Sequence, residues 1–341
     1  MTRGTLTKTL VMVILLVLVL VLPLIVRNIY WRHVFILIAI MILATSSMRA
    51  IYRTGEVSLG ASGFLLIGGY SSALLAIKLG LSPWITMPLG GLFAAAVAAA
   101  VGYPFFRMKG IYFVISTLLL AFVFLYLAGF LGQFTGGWQG LQFFFLSLDP
   151  ITIGPLTITF TTQTNIEYYY LTIIIVGLCL FVLYRMEHSR VGLVWDSIKE
   201  ADNLAQSVGV NIMAQKIFIF VVACFFTGLA GALYAFHVHA LSPASTPANI
   251  FHFFTSVYCL LYMVVGGVDS FFGPIIGTTL LMLVSELSRP LQSYRPLLYG
   301  AILILVVFFI PKGLIAMNEY LPAWYRKLRG RLRRKASSQG A

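Results

Sequence analysis

Long apolar segments, each bounded by charge, Pro or Gly, recur along the chain at 9–26, 33–48, 57–77, 84–105, 111–131, 168–185, 215–238, 251–268, 272–288 and 296–311. Runs of about twenty apolar residues match the hydrocarbon thickness of a bilayer. The pattern therefore predicts an all-α, polytopic transmembrane helical bundle of about ten spans. The segments 33–48 and 272–288 are short, which points to tilted, interrupted or partly re-entrant helices. The first run follows Arg3 and Lys8 and resembles a signal peptide. It is longer than an ordinary apolar core and leads into Val26-Arg27-Asn28 with no small-residue cleavage site, so it is expected to stay as the first span.

One polar stretch, from Arg185 to Lys216, interrupts this pattern. Within it Ser197 and Glu200 have the spacing of a capping box, and Gly209 suits a left-handed helix end. These signals predict a helix over 196–209. Its apolar residues, Ile198, Ala201, Leu204 or Ala205, and Val208, recur every three or four positions, while Asp196, Lys199 and Glu200 make the other face charged. Such a helix either rests on lipid headgroups or presents a docking surface to a soluble partner.

Composition sharpens the picture. The chain has 341 residues, is 60% hydrophobic and only 10% charged, and carries 23 Lys and Arg against 10 Asp and Glu, a formal charge of +13. In a soluble protein that excess would raise nucleic-acid binding; here it sets orientation, and no nucleic-acid partner is expected. With both termini cytoplasmic, Arg49, Arg53, Arg107, Lys109, Arg185, Lys199, Lys216 and Lys312 fall inside. So does a basic tail over 326–341, distinct from a transmembrane unit over 1–325. The tail reads first as a topology anchor on anionic lipid, with a partner site as the alternative. Cys179, Cys224 and Cys259 lie in apolar runs and read as small buried residues. There is no phosphate loop for nucleotide, no metal-ligand spacing among the five histidines and no cofactor motif, so neither catalysis nor cofactor binding is expected. His237 and His239 read as interfacial. Ionisable residues are scarce mid-span, which argues against a self-sufficient ion-coupled carrier. Glu286 and Arg289, three positions apart, are expected to pair.

The longest connection, 132–167, contains Thr135-Gly136-Gly137-Trp138-Gln139-Gly140-Leu141 and a β-prone run whose hairpin would turn at Gly154-Pro155. Small residues cluster at Gly60-Ala61-Ser62-Gly63, Gly68-Gly69-Tyr70-Ser71-Ser72-Ala73 and Gly228-Leu229-Ala230-Gly231-Ala232. They serve either close helix packing or a solute path. Ser62, Gly68, Gly69, Ser71 and Ser72, with Ser116 and Thr117, are the candidate path residues.

Read in order, several motifs resemble the permease subunits of the branched-chain amino-acid ABC importer family, LivM-type branch. They are Gly55-Glu56-Val57-Ser58-Leu59-Gly60-Ala61-Ser62-Gly63-Phe64; Arg107-Met108-Lys109-Gly110-Ile111-Tyr112-Phe113 with Ser116-Thr117-Leu118; Ser189-Arg190-Val191-Gly192; Glu200-Ala201 through Gly209; and Gly273-Pro274-Ile275-Ile276-Gly277. The resemblance covers roughly 35–320. It implies a pore subunit of the bacterial inner membrane that pairs with a homologous permease, binds two ABC ATPase subunits and receives substrate from a periplasmic binding protein. It further implies that the cytoplasmic helix contacts the ATPase, through Asp196, Lys199, Glu200, Ala201, Leu204 and Gly209, and that the ATPases hydrolyse the nucleotide. The solute would be leucine, isoleucine or valine. Two departures bear on it: Glu56 and Ala61 stand where the family commonly has Gln and His, and Trp138-Gln139 where it has Ser-Asp. Because the family also serves urea and short amides, these remain alternatives for the solute. An ion-coupled carrier or channel, or a membrane scaffold, are the competitors from other classes.

Overall fold

The computed structural model describes residues 28–108, 110–143, 151–153, 156–158, 166–243, 249–289, 294–309 and 313–316, together with Pro23. The expected first span, Lys109, the Gly154-Pro155 turn, Lys312 and the basic tail lie outside them.

Among the described residues, six helices are long and apolar enough to cross a membrane: α1 (Ile29–Tyr52), α2 (Ala61–Leu79), α3 (Pro83–Phe106), α4 (Ile111–Phe130), α6 (Ile166–Glu187) and α9 (Ile212–Val238). Between α4 and α6 lies one short turn, α5 (Gly132–Thr135). Three shorter apolar helices follow α9: α10 (Phe253–Gly266), α11 (Gly273–Leu287) and α12 (Arg295–Phe309). The chain is thus a mostly helical bundle whose helices match nine of the ten apolar segments. Two of the last three are packed unusually close. A side chain at Gly266 would collide with the backbone of Gly273, and one at Gly277 with that of Tyr262, so α10 and α11 meet backbone to backbone at a tight turn.

Helices α1 and α9 form the centre. The apolar window of α1 is 83% buried against 28% for α4, whose residues Ile115, Leu119, Val123 and Leu127 face outward. The small-residue clusters explain how α2, α3 and α9 come so close. A Cβ on Gly68 would run into the Gly228 backbone, and one on Gly231 into the Leu65 carbonyl. Without a hydrophobic force between helices in lipid, such close approach is what holds them. Cys179, Cys224 and Cys259 are free and buried, as their apolar setting predicts.

The connection after α4 is pinned. Strand β1 (Leu141–Gln142) pairs antiparallel with β4 (Ala240–Leu241), at the end of α9, and the Ser242 hydroxyl donates to Trp138 O at 3.4 Å. The β-prone run does form a hairpin: β2 (Ile151–Ile153) pairs antiparallel with β3 (Leu156–Ile158), Ile153 opposite Leu156. The Glu286–Arg289 pair also forms, at 2.7 Å. His237, in the last turn of α9, does not face outward: it is buried, stacked on both His33 and Tyr168, with its Nε2 2.7 Å from His33 Nδ1. Although it is the next-to-last residue of α9, packing against α1 and α6 removes it from water. His239 ends α9 in a left-handed conformation, φ 56°.

Candidate functional site

The polar stretch between α6 and α9 is two helices. Helix α7 (Arg190–Glu200) begins at Ser189, whose hydroxyl accepts from Val191 N–H at 3.3 Å, and α8 (Asp202–Ser207) follows. This corrects the single helix expected over 196–209. Ser197 is not a cap: it lies inside α7 and its hydroxyl donates to Val194 O at 2.7 Å. Ala201, with φ −158° and ψ 95°, is extended and separates the two. A straight helix of that length would run about 20 Å across the end of the bundle. The break turns α8 back, so that Ala205 is buried and Asp202 reaches α9. Gly209 does adopt the expected left-handed conformation, φ 87°.

Ion pairs then brace this segment to the helix ends. Asp196 of α7 pairs with Arg53, the residue that ends α1. Lys199 reaches Asp269 in the α10–α11 turn at 3.0 Å and lies over the Tyr52 ring at 4.4 Å. Lys216 of α9, buried, bridges Glu56 at 3.1 Å and Asp202 at 3.3 Å. Beneath them Arg49 donates to Glu187 at 2.6 Å, their side chains only 2% and 3% exposed, and also to Val268 O at 2.9 Å and Asp269 O at 3.3 Å. A buried guanidinium needs such complete pairing, because a lone charge there costs several kcal/mol (roughly 3–5 when one partner is removed). Trp195, fully buried, donates its ring N–H to Gln215 at 3.3 Å and anchors α7 to the start of α9.

Of the expected contact residues, Asp196 and Lys199 thus point inward to ion partners. Glu200 is exposed at the end of α7, and Leu204 (70% exposed) and Val208 (79% exposed) project from α8 and the turn after it. The apolar stripe therefore divides: Trp195, Ile198 and Ala205 lie on the protein's own helix ends, and Leu204 and Val208 face away. Arg49, Arg53, Glu56, Glu187, Asp202, Lys216 and Asp269 were not singled out as a site from the sequence. Their signal was there in a weak form, as acids and bases falling together at alternate span ends.

The candidate path residues occupy two settings. Gly68 and Gly69 face α9, where a Cβ on Gly69 would lie 3.1 Å from Gly231 O. The Ser71 and Ser72 hydroxyls donate to Ile67 O at 2.6 Å and Gly69 O at 2.9 Å, within α2. Ser62 accepts at its hydroxyl from Ser256 of α10 at 2.9 Å, and Thr117 of α4 accepts from Leu59 N–H at 3.0 Å. Ser116 donates to the Met108 sulfur at 3.0 Å. A polar seam of Ser62, Ser256 and Thr117 thus runs between helix ends, while the other hydroxyls are satisfied locally.

A bundle of helices this apolar defines an integral membrane protein. Within that class, the chain belongs to the family described as branched-chain amino acid transport system / permease component, which matches residues 31–309. It is 30% identical over 281 residues to the high-affinity branched-chain amino acid transport system permease proteins LivM of Salmonella typhimurium and Escherichia coli. That match covers 78% of this chain and 65% of theirs, so the chain spans a little under two thirds of their length. It is 24% identical over 250 residues to the probable branched-chain amino acid transport permease protein LivH of Methanocaldococcus jannaschii, covering 70% of this chain and 73% of that one. No solved structure matches.

Proposed function

We propose that the chain is the permease subunit of an ATP-binding-cassette importer moving leucine, isoleucine, valine or a similar small polar solute across a bacterial inner membrane. It pairs with a second, homologous permease, two ATPase subunits and a periplasmic binding protein. Family membership and the names of its relatives support this reading. The observation that carries it is the α7–α8 segment, which leaves Leu204 and Val208 uncovered while ion pairs tie it to α1, α9 and the α10–α11 turn. Exposed apolar side chains beside charged ones, on a helix outside the long apolar spans, are what a soluble partner would cover. The positive-inside bias supports a cytoplasmic position for this end, where an ATPase would dock. The hydroxyl seam of Ser62 and Thr117, with the α2 face of Gly68, Gly69, Ser71 and Ser72 and with Ser116, is the proposed route for solute.

Gentle-detergent purification of the tagged chain, with mass spectrometry of what accompanies it, tests the assembly. Recovery of a second permease and of ATPases bearing a phosphate loop, together with leucine uptake that needs ATP, is the expected result. A chain recovered alone that transports in response to an ion gradient would replace this reading with that of a carrier.

A further inference from the structure

Helices α10 and α11 are built as one body. They meet backbone to backbone at two levels, Gly266 against Gly273 and Gly277 against Tyr262, where an added Cβ would collide with main chain that cannot turn aside. The turn between them begins at Gly267, with φ 114°, and a Cβ on Gly313, beyond α12, would meet that residue as well. With 14 and 15 residues, at about 1.5 Å per residue, the two helices are about 21 to 23 Å long, short of the roughly 30 Å of a hydrocarbon core. Away from the turn, Tyr258 of α10 and Met282 of α11 line a cavity of about 260 Å³, with Val34, Leu37 and Met41 of α1 on its other wall. A hairpin this closely fitted carries a displacement of its turn to that cavity.

The turn is gripped from three helices. Arg49 of α1 donates to Val268 O at 2.9 Å and to Asp269 O at 3.3 Å, and lies over the Phe271 ring at 5.8 Å. Phe271 stands edge-on to Tyr184 of α6, ring centroids 5.2 Å apart. The third grip is of another kind. Lys199, in the last turn of α7, reaches the Asp269 carboxylate at 3.0 Å, with the two side chains 29% and 85% exposed. A pair this open contributes little to stability, so its loss leaves the fold intact. The same rod turns a row of its own outward at helical spacing, Arg190, Leu193, Ser197 and Glu200, of which Leu193 is 70% exposed.

We infer that Lys199 and Asp269 form a latch through which α7 moves the α10–α11 hairpin, a route separate from that of α8 through Lys216. A partner pressing on the outward row of α7 displaces Lys199, which carries Asp269 with it. The hairpin then tilts about the Arg49 grip and alters the width of the cavity at its far end. Two rods joined by the extended Ala201 are able to deliver two separate movements. Lys199 and Asp269 are positioning residues: they act through the hairpin and touch neither solute nor nucleotide. The inference rests on the importer reading and adds to it an element that receives the motion of the ATPases and the pair that delivers it.

The test uses the full-length chain with the subunits that accompany it, in proteoliposomes. Uptake of L-leucine per ATP hydrolysed is measured for the parent, for Lys199→Glu, for Asp269→Lys and for the exchanged pair. Each single change is expected to lower that ratio at least about fivefold, the size of an ordinary coupling between sites, and the exchange to restore most of it. Thermal unfolding should stay close to the parent's in all three. Nitroxide labels on Leu79→Cys at the end of α2 and Leu287→Cys at the end of α11, both exposed, follow the hairpin directly. Their separation is expected to change when ATP and vanadate trap the ATPases, and Asp269→Asn to abolish that change. An unaltered ratio in both single variants, an exchange no better than either, or a separation indifferent to nucleotide would overturn the latch. So would loss of the ATPases from Asp269→Asn, which would make the pair a docking contact. A parent assembly without ATP-driven leucine uptake fails the importer reading instead, before any variant is made.

Discussion

Arg49 is the residue whose replacement the structure punishes most clearly. It sits in the last turn of α1 and holds Glu187, 138 positions away, together with two carbonyls of the α10–α11 turn. Glu187→Ala removes the counter-ion of that buried guanidinium, leaving it two carbonyls, and should lower stability by roughly 3–5 kcal/mol in thermal unfolding of the detergent-solubilised protein. Arg49→Met combined with Glu187→Leu should recover much of the loss, because replacing both charges by apolar groups removes the uncompensated one. A second residue-scale test is steric. Gly68→Leu should prevent accumulation of folded protein, since even a Cβ there meets the Gly228 backbone, whereas Gly177→Ala, with nothing within 4 Å, should be tolerated. The contrast shows what a sequence discloses. Glu286 and Arg289 are three apart in sequence, in the last turn of α11 and just past its end, so their pairing is readable from spacing. Arg49 and Glu187 meet only because α1 and α6 pack side by side, and no local rule carries that information.

At the scale of the element, the α7–α8 segment was legible as amphipathic and ending at Gly209, but not as broken. Helix signals report where a helix is able to begin, and Ser189 and Ser197 both qualify. Tertiary contacts decided: Trp195 of α7 and Asp202 of α8 are tied to neighbouring residues of α9, Gln215 and Lys216, and the extended Ala201 joins the two rods. The exposure of Leu204 and Val208 yields a prediction independent of folding. The double substitution Leu204→Asp and Val208→Asp should leave expression and thermal unfolding within about 0.5 kcal/mol of the parent, as surface changes do. It should abolish recovery of ATPase subunits in the same purification; full recovery would move the docking surface elsewhere.

For the whole molecule, the order and helical nature of the apolar runs were readable, because about twenty apolar residues have few alternatives in lipid. The arrangement was not. Which helices approach most closely follows from glycines whose partners lie on other helices, and the tight turn between α10 and α11 brings Gly266 against Gly273. The orientation rests on charge bias and is open to direct measurement. Leu79→Cys, exposed at the end of α2, should react with a membrane-impermeant maleimide in spheroplasts. Ser207→Cys, at the end of α8, should react only after the membrane is permeabilised. The native cysteines are buried and should give little background. The reverse labelling would invert the topology and place α7 and α8 outside.

The junction at Ala201 has a mechanical consequence. A rigid rod pushed at its tip transmits the load along its own axis, but an extended single-residue joint bears little torque. Force applied at Leu204 therefore does not travel back through α7. It passes through Asp202 into Lys216, and from there divides between the α9 shaft and Glu56, just ahead of α2. The same lysine would act as the pivot, and the closely fitted α2–α3–α9 block as the lever that moves with it.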